Sequence, residues 1–423
     1  MEKLQIGIVG LGQRGYGLLK TLLLVKKVEI VAVCDSYADR VEQALATVKE
    51  KSGKEAKGYS DYAEMLGDEK VKAVVVATSW DEHIRMAIQS MRAGKITACE
   101  VGGAYDIEEC WELVRAYEET KSPLMFLENC CFDSFELLST TLARVGLLGQ
   151  VVHCHGAYSH DLRDEVLGGN VNRHYRLQNY KKRNCENYPT HEIGPIAKLL
   201  DITRGNKFTK LVSYSSKAVG LEEFTTDERN PDKSLIGTKF AQGDIVTTMI
   251  ECANGETITL TLDTTLPKYY SREFTVRGTK GLCMQEANMV LIDPKNNMHE
   301  YWSPELVLGK YLNNAREYEE YMPDLWKNIS DEEREAGHGG MDYLMMKTFV
   351  NAALNGEEMP IDVYDMATWS SITALSEQSI MLGGASVVVP DFTRGKWIKR
   401  ESKDVTKLVD KVLEEKAAEP EKE

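Results

Sequence analysis

Gly10-Leu11-Gly12-Gln13-Arg14-Gly15 can do chemistry with its backbone alone. It follows an apolar run, Leu4 to Val9, and a second apolar run, Val28 to Val33, ends at Asp35. Between strand and helix, the first glycine permits a tight turn and the second lets the backbone approach a pyrophosphate. The third lets helix and strand pack closely, and the helix N-terminus offers its N–H groups to phosphate. Asp35 stands 20 residues after Gly15, where a carboxylate accepts the hydroxyls of an adenosine ribose. The pattern implies a nicotinamide dinucleotide. The carboxylate favours NAD over NADP, although Arg40 nearby could meet a 2′-phosphate.

Other reactive groups recur where strand ends or loops are expected: Thr78-Ser79-Trp80-Asp81-Glu82-His83, Glu100-Val101-Gly102-Gly103, Glu128-Asn129 and Tyr188-Pro189-Thr190-His191. Trp80 can lie against an adenine or nicotinamide face. His83 either touches cofactor or makes a cap contact, and Glu100 either meets ribose hydroxyls or is a surface glutamate. Tyr188 and His191, around Pro189, bring a phenol and an imidazole within reach of one pocket, a pairing suited to proton transfer. Their plain alternatives are sugar stacking and a helix cap. His338, in a Gly-rich segment, either lines a sugar site or caps a helix. His153-Cys154-His155 suggests a metal, but a strand turns the two histidines to one face and the cysteine to the other, so no metal is expected. Cys130-Cys131 has no evident base beside it and reads as packing.

The elements that must hold these groups are legible as patterns. Strands and helices alternate through about residue 130. Val71 to Thr78 and Leu124 to Leu127 read as buried strands. A helix from about Asp81 buries Ile84, Ala87, Ile88 and Met91, and Asp106 with Glu109 forms a capping box. This predicts an α/β domain over residues 1–130, a doubly wound parallel Rossmann sheet with its ligand at the carboxyl ends of the strands. Later strands are longer and alternating: Val151 to Tyr158, Val246 to Glu251, Thr257 to Asp263 and Glu273 to Arg277. Residues 131–400 therefore read as an α+β substrate domain on a largely antiparallel open sheet, with helices near His191 to Asp201, Met341 to Leu354 and Val363 to Met381. Val405, Leu408, Val409, Val412 and Leu413 have the spacing of an amphipathic helix in a charged tail, 401–423.

Size and charge narrow the partners. At 423 residues, two domains sharing a cleft are the default. A net charge of −15 argues against nucleic acid or an anionic membrane, and no stretch approaches the roughly 20 apolar residues that span a bilayer. The first strand begins by residue 4, which leaves no room for a signal peptide, and the nine cysteines show no CxxC spacing. A cytoplasmic location with reduced thiols is the expectation. An exposed sheet face in the second domain would favour a homo-oligomer.

The fingerprint, the Thr78 to His83 segment, the acidic strand end at Glu100 and the sheet-rich second half resemble the Gfo/Idh/MocA oxidoreductase superfamily. Ordinary dehydrogenases of that group read Glu-Lys-Pro where this chain reads Glu100-Val101-Gly102, so the lysine that handles the substrate hydroxyl proton is absent. A narrower resemblance is to glycoside hydrolase family 109, the NAD-dependent α-N-acetylgalactosaminidases. It rests on Leu127-Glu128-Asn129, Gly156-Ala157-Tyr158, His160-Asp161-Leu162-Arg163, Lys182-Arg183-Asn184, Tyr188 to His191, Gly194-Pro195, Tyr270-Ser271-Arg272 and Gly337 to Asp342. The resemblance places Gln13, Arg14, Asp35, Trp80, His83, Glu100, Val101, Asn129 and the Tyr188–His191 segment at cofactor positions. It places Tyr158, Arg176, Tyr188 and Tyr270 at sugar-binding positions. The chain departs from the family pattern at Cys185-Glu186-Asn187 and at Glu192, which follows the histidine.

The chemistry so implied works through a ketone. NAD takes hydride from C3 of the sugar, a base removes the acidified C2 proton, and the enolate expels the C1 substituent. Water then adds, and the hydride returns to C3. NAD-dependent enzymes are among the exceptions to the usual two-carboxylate glycosidase. His191 is the candidate for the C3 hydroxyl proton. Tyr188, Tyr158 and Tyr270 are candidates for the C2 step, and the sequence does not rank them. An NAD-dependent sugar or polyol dehydrogenase, with His191 in place of the lysine, is the alternative, and a silent binding protein on the same scaffold is a third reading.

Overall fold

The computed structural model describes residues 3–296 and 303–408. Within it the chain forms two compact units. The first comprises residues 1–129, 169–177 and 329–374, and the second 130–168, 178–328 and 375–423.

In the first unit, β1 (Leu4–Val9), β2 (Val28–Cys34), β3 (Lys57–Tyr59), β4 (Ala73–Val76), β5 (Ile96–Cys99) and β6 (Leu124–Phe126) form one sheet in the order β3-β2-β1-β4-β5-β6. Every pairing is parallel. Sheets of this kind are covered on both faces, which is why the strands read as continuous apolar runs. Ile6, Ile8, Val33, Val74 and Val75 are fully enclosed. The strand order reverses between β1 and β4, the switch point at which such sheets bind ligands beyond their carboxyl ends. Helix α1 (Gln13–Leu24) follows β1, and α2 (Trp80–Arg92) follows β4. The capping box of Asp106 and Glu109 starts the Ile107–Thr120 helix as expected.

The first unit takes more chain than residues 1–130. The Met341–Asn355 helix packs against α1 and β1, and Ala104 N–H donates to Ser370 O at 2.9 Å. Nothing in the local pattern of residues 329–374 distinguishes them from the helices of the other unit; their apolar faces find the Rossmann layer only in three dimensions.

The second unit holds β7 (Val151–Ser159), β8 (Phe208–Ser215), β9 (Ile245–Cys252), β10 (Thr257–Asp263), β11 (Thr275–Gly278), β12 (Gly281–Met284), β13 (Met289–Ile292) and β14 (Val387–Val388). Their order is β13-β12-β11-β7-β10-β9-β8-β14. All neighbours are antiparallel except β7 and β10, which run parallel with Tyr158 opposite Leu262. In β9 buried Val246, Thr248 and Ile250 alternate with exposed Thr247, Met249 and Glu251, the signature of a sheet with one solvated face.

The Thr190–Leu199 helix lies on β7 and is buried along nearly its whole length. Its close approach requires Gly156, where a Cβ would fall 2.8 Å from the Glu192 carbonyl oxygen. Asp201, placed inside this helix by its pattern, instead follows it in a left-handed conformation at φ 54°. No helix forms over residues 401–408; Val405 and Leu408 are buried in irregular chain. That segment is tied down by polar contacts, Arg144 to Asp404 at 3.1 Å and Ser402 to Asp201 at 2.6 Å. Val409, Val412 and Leu413 lie outside the described residues.

Candidate functional site

The first unit supplies a dinucleotide cradle. Gly10 turns the chain at φ +85°, and a Cβ there would sit 2.5 Å from Ala77 O. At Gly15 a Cβ would sit 1.8 Å from Gly10 O, so the turn and α1 can approach only as glycines. Over Gly12 the nearest atom would be Arg40 Nη1 at 3.6 Å, which leaves that face of the backbone approachable. Gly12 also caps α1 without a side-chain acceptor, so the helix N-terminus presents N–H groups suited to phosphate. Asp35, just beyond β2, accepts from Leu11 N at 2.7 Å and Tyr37 N at 2.9 Å. Arg40 Nη1 stands 3.7 Å from the same carboxylate. These residues fit a dinucleotide with its pyrophosphate on α1 and its adenosine ribose at Asp35.

Beside the cradle lies a wired set of charges. Arg14 donates to Glu100 Oε1 at 2.8 Å and to both oxygens of Asp342, at 2.5 and 3.0 Å. Asn129 Nδ2 donates to Asp342 Oδ1 at 2.8 Å, and His338 Nδ1 lies 2.9 Å from Asp342 Oδ2. Burial by itself would raise the Asp342 pKa, but Arg14 and His338 overcome it and hold the carboxyl well below the usual range. Arg14, Glu100 and Asn129 thus meet through one residue that the candidate cofactor residues did not include. The signal for it was the Gly337-His338-Gly339-Gly340 run, where all four residues adopt positive φ immediately before Met341.

Trp80 is buried, with Gly102 against its face: a Cβ at Gly102 would lie 2.6 Å from Trp80 Cδ1. The space that a side chain at residue 102 would take is therefore filled by the Trp80 indole. Tyr175 meets Trp80 edge-on at 5.0 Å, and the Arg176 guanidinium lies 5.3 Å from its ring. Arg176 belongs to the first unit, whereas Tyr158, Tyr188 and Tyr270, expected with it at the sugar, belong to the second. Residues 169–177 return to the first unit, which no local pattern announces. His83 is fully enclosed, its Nε2 3.1 Å from Thr78 O, and burial pushes its pKa down to about 4. It acts as a neutral tie within the loop after β4. Val101 is buried at the end of β5, and Gln13 opens α1.

The second unit gathers the proton-transfer candidates. Tyr188 Oη lies 3.3 Å from His191 Nε2, across the turn made by Pro189. Tyr158, near the end of β7, stands 4.7 Å from Tyr188 and 5.6 Å from His191, ring to ring. His160 meets Tyr158 at 4.9 Å and Tyr270 at 5.3 Å, which brings Tyr270 to the same cluster. Tyr270 is half-exposed as a residue, yet its hydroxyl end is desolvated, which pushes its pKa up; Arg272 Nη1 donates to that oxygen at 3.2 Å. Arg272 is itself buried and held by Glu136 at 2.8 Å and Asp133 at 2.9 Å.

Four buried polar atoms of the same strands and turn, Ser159 Oγ, Asn187 Oδ1, Thr190 Oγ1 and Asp263 Oδ1, have no hydrogen-bond partner among the described residues. Buried polar atoms are ordinarily bonded, so such a set suits a ligand rich in hydroxyls. His153 and His155 share a strand face but take different partners, Thr257 Oγ1 at 2.9 Å and Glu273 Oε2 at 3.1 Å. Cys130 and Cys131 are buried and not joined in a disulfide.

The geometry agrees with what the chain is similar to. Residues 4–127 match the NAD-binding Rossmann fold of the GFO_IDH_MocA oxidoreductase family, and residues 133–399 match the glycosyl hydrolase 109 C-terminal domain. A protein of Tannerella forsythia named alpha-N-acetylgalactosaminidase is 37% identical, with 94% of this chain and 88% of the relative covered. One of Shewanella oneidensis with the same name is 34% identical over 94% and 86%. Among solved structures, levoglucosan dehydrogenase in complex with NADH and levoglucosan superposes with a TM-score of 0.68 at 16% identity, covering 92% of this chain and 100% of that one. A scyllo-inositol dehydrogenase of Lactobacillus casei, with bound NAD(H) and scyllo-inositol, gives 0.62 at 15%, over 92% and 99%. At that identity the likeness shows the fold alone. A dinucleotide cradle joined in one chain to that C-terminal domain, with relatives above 30% identity along nearly its full length, makes this enzyme a member of glycosyl hydrolase family 109.

Proposed function

We propose that this enzyme hydrolyses α-N-acetylgalactosaminides or closely related glycosides with NAD, by transient oxidation at C3, elimination across C1–C2, addition of water and re-reduction. The observation that carries the reading is the Tyr188–His191 pair, a phenol and an imidazole 3.3 Å apart in an aromatic cluster of the domain that resembles family 109. The names of the relatives support the sugar. Gly10, Gly12, Gly15 and Asp35 would hold NAD, and the Asp35 carboxylate favours a free ribose over a 2′-phosphate. When bound, NAD supplies a hydride acceptor at C3 and returns the hydride within the same turnover, so no net oxidation results.

The residues of the second unit do the rest. His191 takes the proton of the C3 hydroxyl at Nε2, the atom that now faces Tyr188. The ketone at C3 acidifies C2–H, and Tyr188 or Tyr158 removes that proton. The C1–O bond then breaks, and the leaving oxygen takes up a proton. Water places its hydroxyl on C1, and its remaining proton makes good the one taken up by the leaving oxygen. The tyrosine phenol, which exchanges with solvent, returns a proton to C2, and His191 returns its proton to the C3 oxygen as the hydride comes back. Tyr270, whose phenol stays protonated through desolvation, donates a hydrogen bond to the sugar and does not serve as the base.

The test is release of nitrophenol from a panel of nitrophenyl α- and β-glycosides by purified protein without added cofactor, with NADH followed in parallel on free sugars. Release without accumulating NADH is expected. Stoichiometric NADH with no release would instead establish a sugar or polyol dehydrogenase. Deuterium from solvent at C2 of the product is the mark of the elimination route.

A further inference from the structure

Two glutamates bracket the Tyr188–His191 turn, and the chemistry above uses neither. Glu186 and Glu192 are 0% and 1% exposed. Among the described residues, no cationic side chain pairs with either carboxyl. The two carboxyls bear on one another instead, and Glu186 Oε1 and Oε2 and Glu192 Oε1 meet no hydrogen-bond donor among the described residues. Glu192 Oε2 accepts Thr261 N at 3.1 Å from β10. The Glu186 N–H donates to Ser376 Oγ at 2.8 Å, and the Glu192 backbone is seated on Gly156 of β7. The pair therefore closes the base of the turn that presents Tyr188 and His191, with each end anchored outside the turn.

Two carboxyls in contact need a proton between them. Ionised together they repel, and neither has a hydrogen to donate. We propose that Glu186 and Glu192 form a one-proton carboxyl clamp, positioning residues that hold Tyr188 and His191 in their hydrogen-bonded geometry. The other groups that bear on the pair reinforce it. Glu273, at the entry to β11, adds negative charge although Lys268 and His155 engage it at 2.8 and 3.1 Å. Cys185, on the turn itself, is kept as a thiol by burial. The Arg183–Glu377 pair, at 2.6 Å, acts mainly on that thiol.

Burial pushes Glu186 up to about 8 and pushes Glu192 up as well. The folded protein thus keeps a proton that the unfolded chain releases near its ordinary carboxyl value of about 4.3. The clamp contributes fully below that value and is lost as the pH rises through about 8.

The experiment compares the full-length wild type with Glu186→Gln. The glutamine amide can donate to the Glu192 carboxylate at any pH and so mimics the protonated partner. From about pH 5 to about 8, the wild type should lose melting temperature progressively and level off above that. Its protonated-carboxyl infrared band should vanish, and the His191 ring signal in NMR should shift, both with one midpoint near 8. Glu186→Gln should lack the band at every pH and show neither the midpoint nor the shift. Glu186→Ala should unfold more easily, and Glu192→Gln should restore the flat profile as Glu186→Gln does. A wild type without the midpoint, or a Glu186→Gln variant that keeps it, overturns the proposal. None of these readouts requires turnover, so they fail or succeed independently of the glycosidase reading.

Discussion

Asp342 accepts both Arg14 guanidinium nitrogens, at 2.5 and 3.0 Å, and so joins the start of α1 to a helix more than three hundred residues later in the chain. The bond is bidentate and its acceptor is buried. Asp342→Asn strands the Arg14 charge beside Glu100 and should cost about 3–5 kcal/mol, the usual penalty for breaking one side of a buried pair. The sign with pH follows from a carboxyl held below its ordinary value: the contribution is present above about pH 3.9 and disappears as the pH falls through the folded value. Chemical denaturation of wild type and variant at neutral pH and in acid checks this. A gap between them that widens as the pH drops would contradict it.

Gly12 and Gly15 should fail differently. Gly15→Ala drives a Cβ to 1.8 Å from Gly10 O and should destabilise the first unit outright. Gly12→Ala meets nothing nearer than 3.6 Å, so melting of the cofactor-stripped protein should barely move. Its cost should appear in the NAD retained after purification, where the methyl obstructs the pyrophosphate. Equal NAD content in Gly12→Ala and wild type would remove the cradle from that position.

His191→Ala should lower kcat on a nitrophenyl glycoside roughly 100- to 10,000-fold, the range of general acid–base catalysis. Tyr188→Phe removes only the hydroxyl that faces His191 and should fall in the same range with the melting temperature kept. A Tyr188→Phe enzyme with wild-type kcat would leave Tyr158 as the base.

Arg272 and Glu136 should prove unequal partners. Burial pushes Glu136 up despite Arg272, and the neighbouring Asp133 carboxyl adds to that push. Glu136→Gln keeps a donor toward Asp133 and should stay within about 1 kcal/mol of wild type. Arg272→Met leaves the neighbouring Asp133 and Glu136 carboxyls without their buried cation and should cost about 3–5 kcal/mol. It should also raise KM if Tyr270, at 3.2 Å from Arg272, meets the sugar. Urea titrations of both variants separate the two cases.

What local pattern could determine, it did. The run of β1, the Gly10 to Gly15 turn and the carboxylate after β2 are encoded within about 35 residues, because turn geometry and strand burial act between near neighbours. The alternation of β9 and β10 exposed a sheet with one wet face for the same reason. Motif strings carried Tyr158, Tyr188, His191 and Tyr270 as a group; the first three rings meet, and Tyr270 reaches them through His160. Only the tertiary structure decided which unit each later segment joins. Arg176 lies over Trp80, and Asp342 collects Arg14, Asn129 and His338, because burying a charge demands a partner from wherever the chain can bring one. It also turned two glutamates, which the sequence offered as separate departures, into a single buried pair.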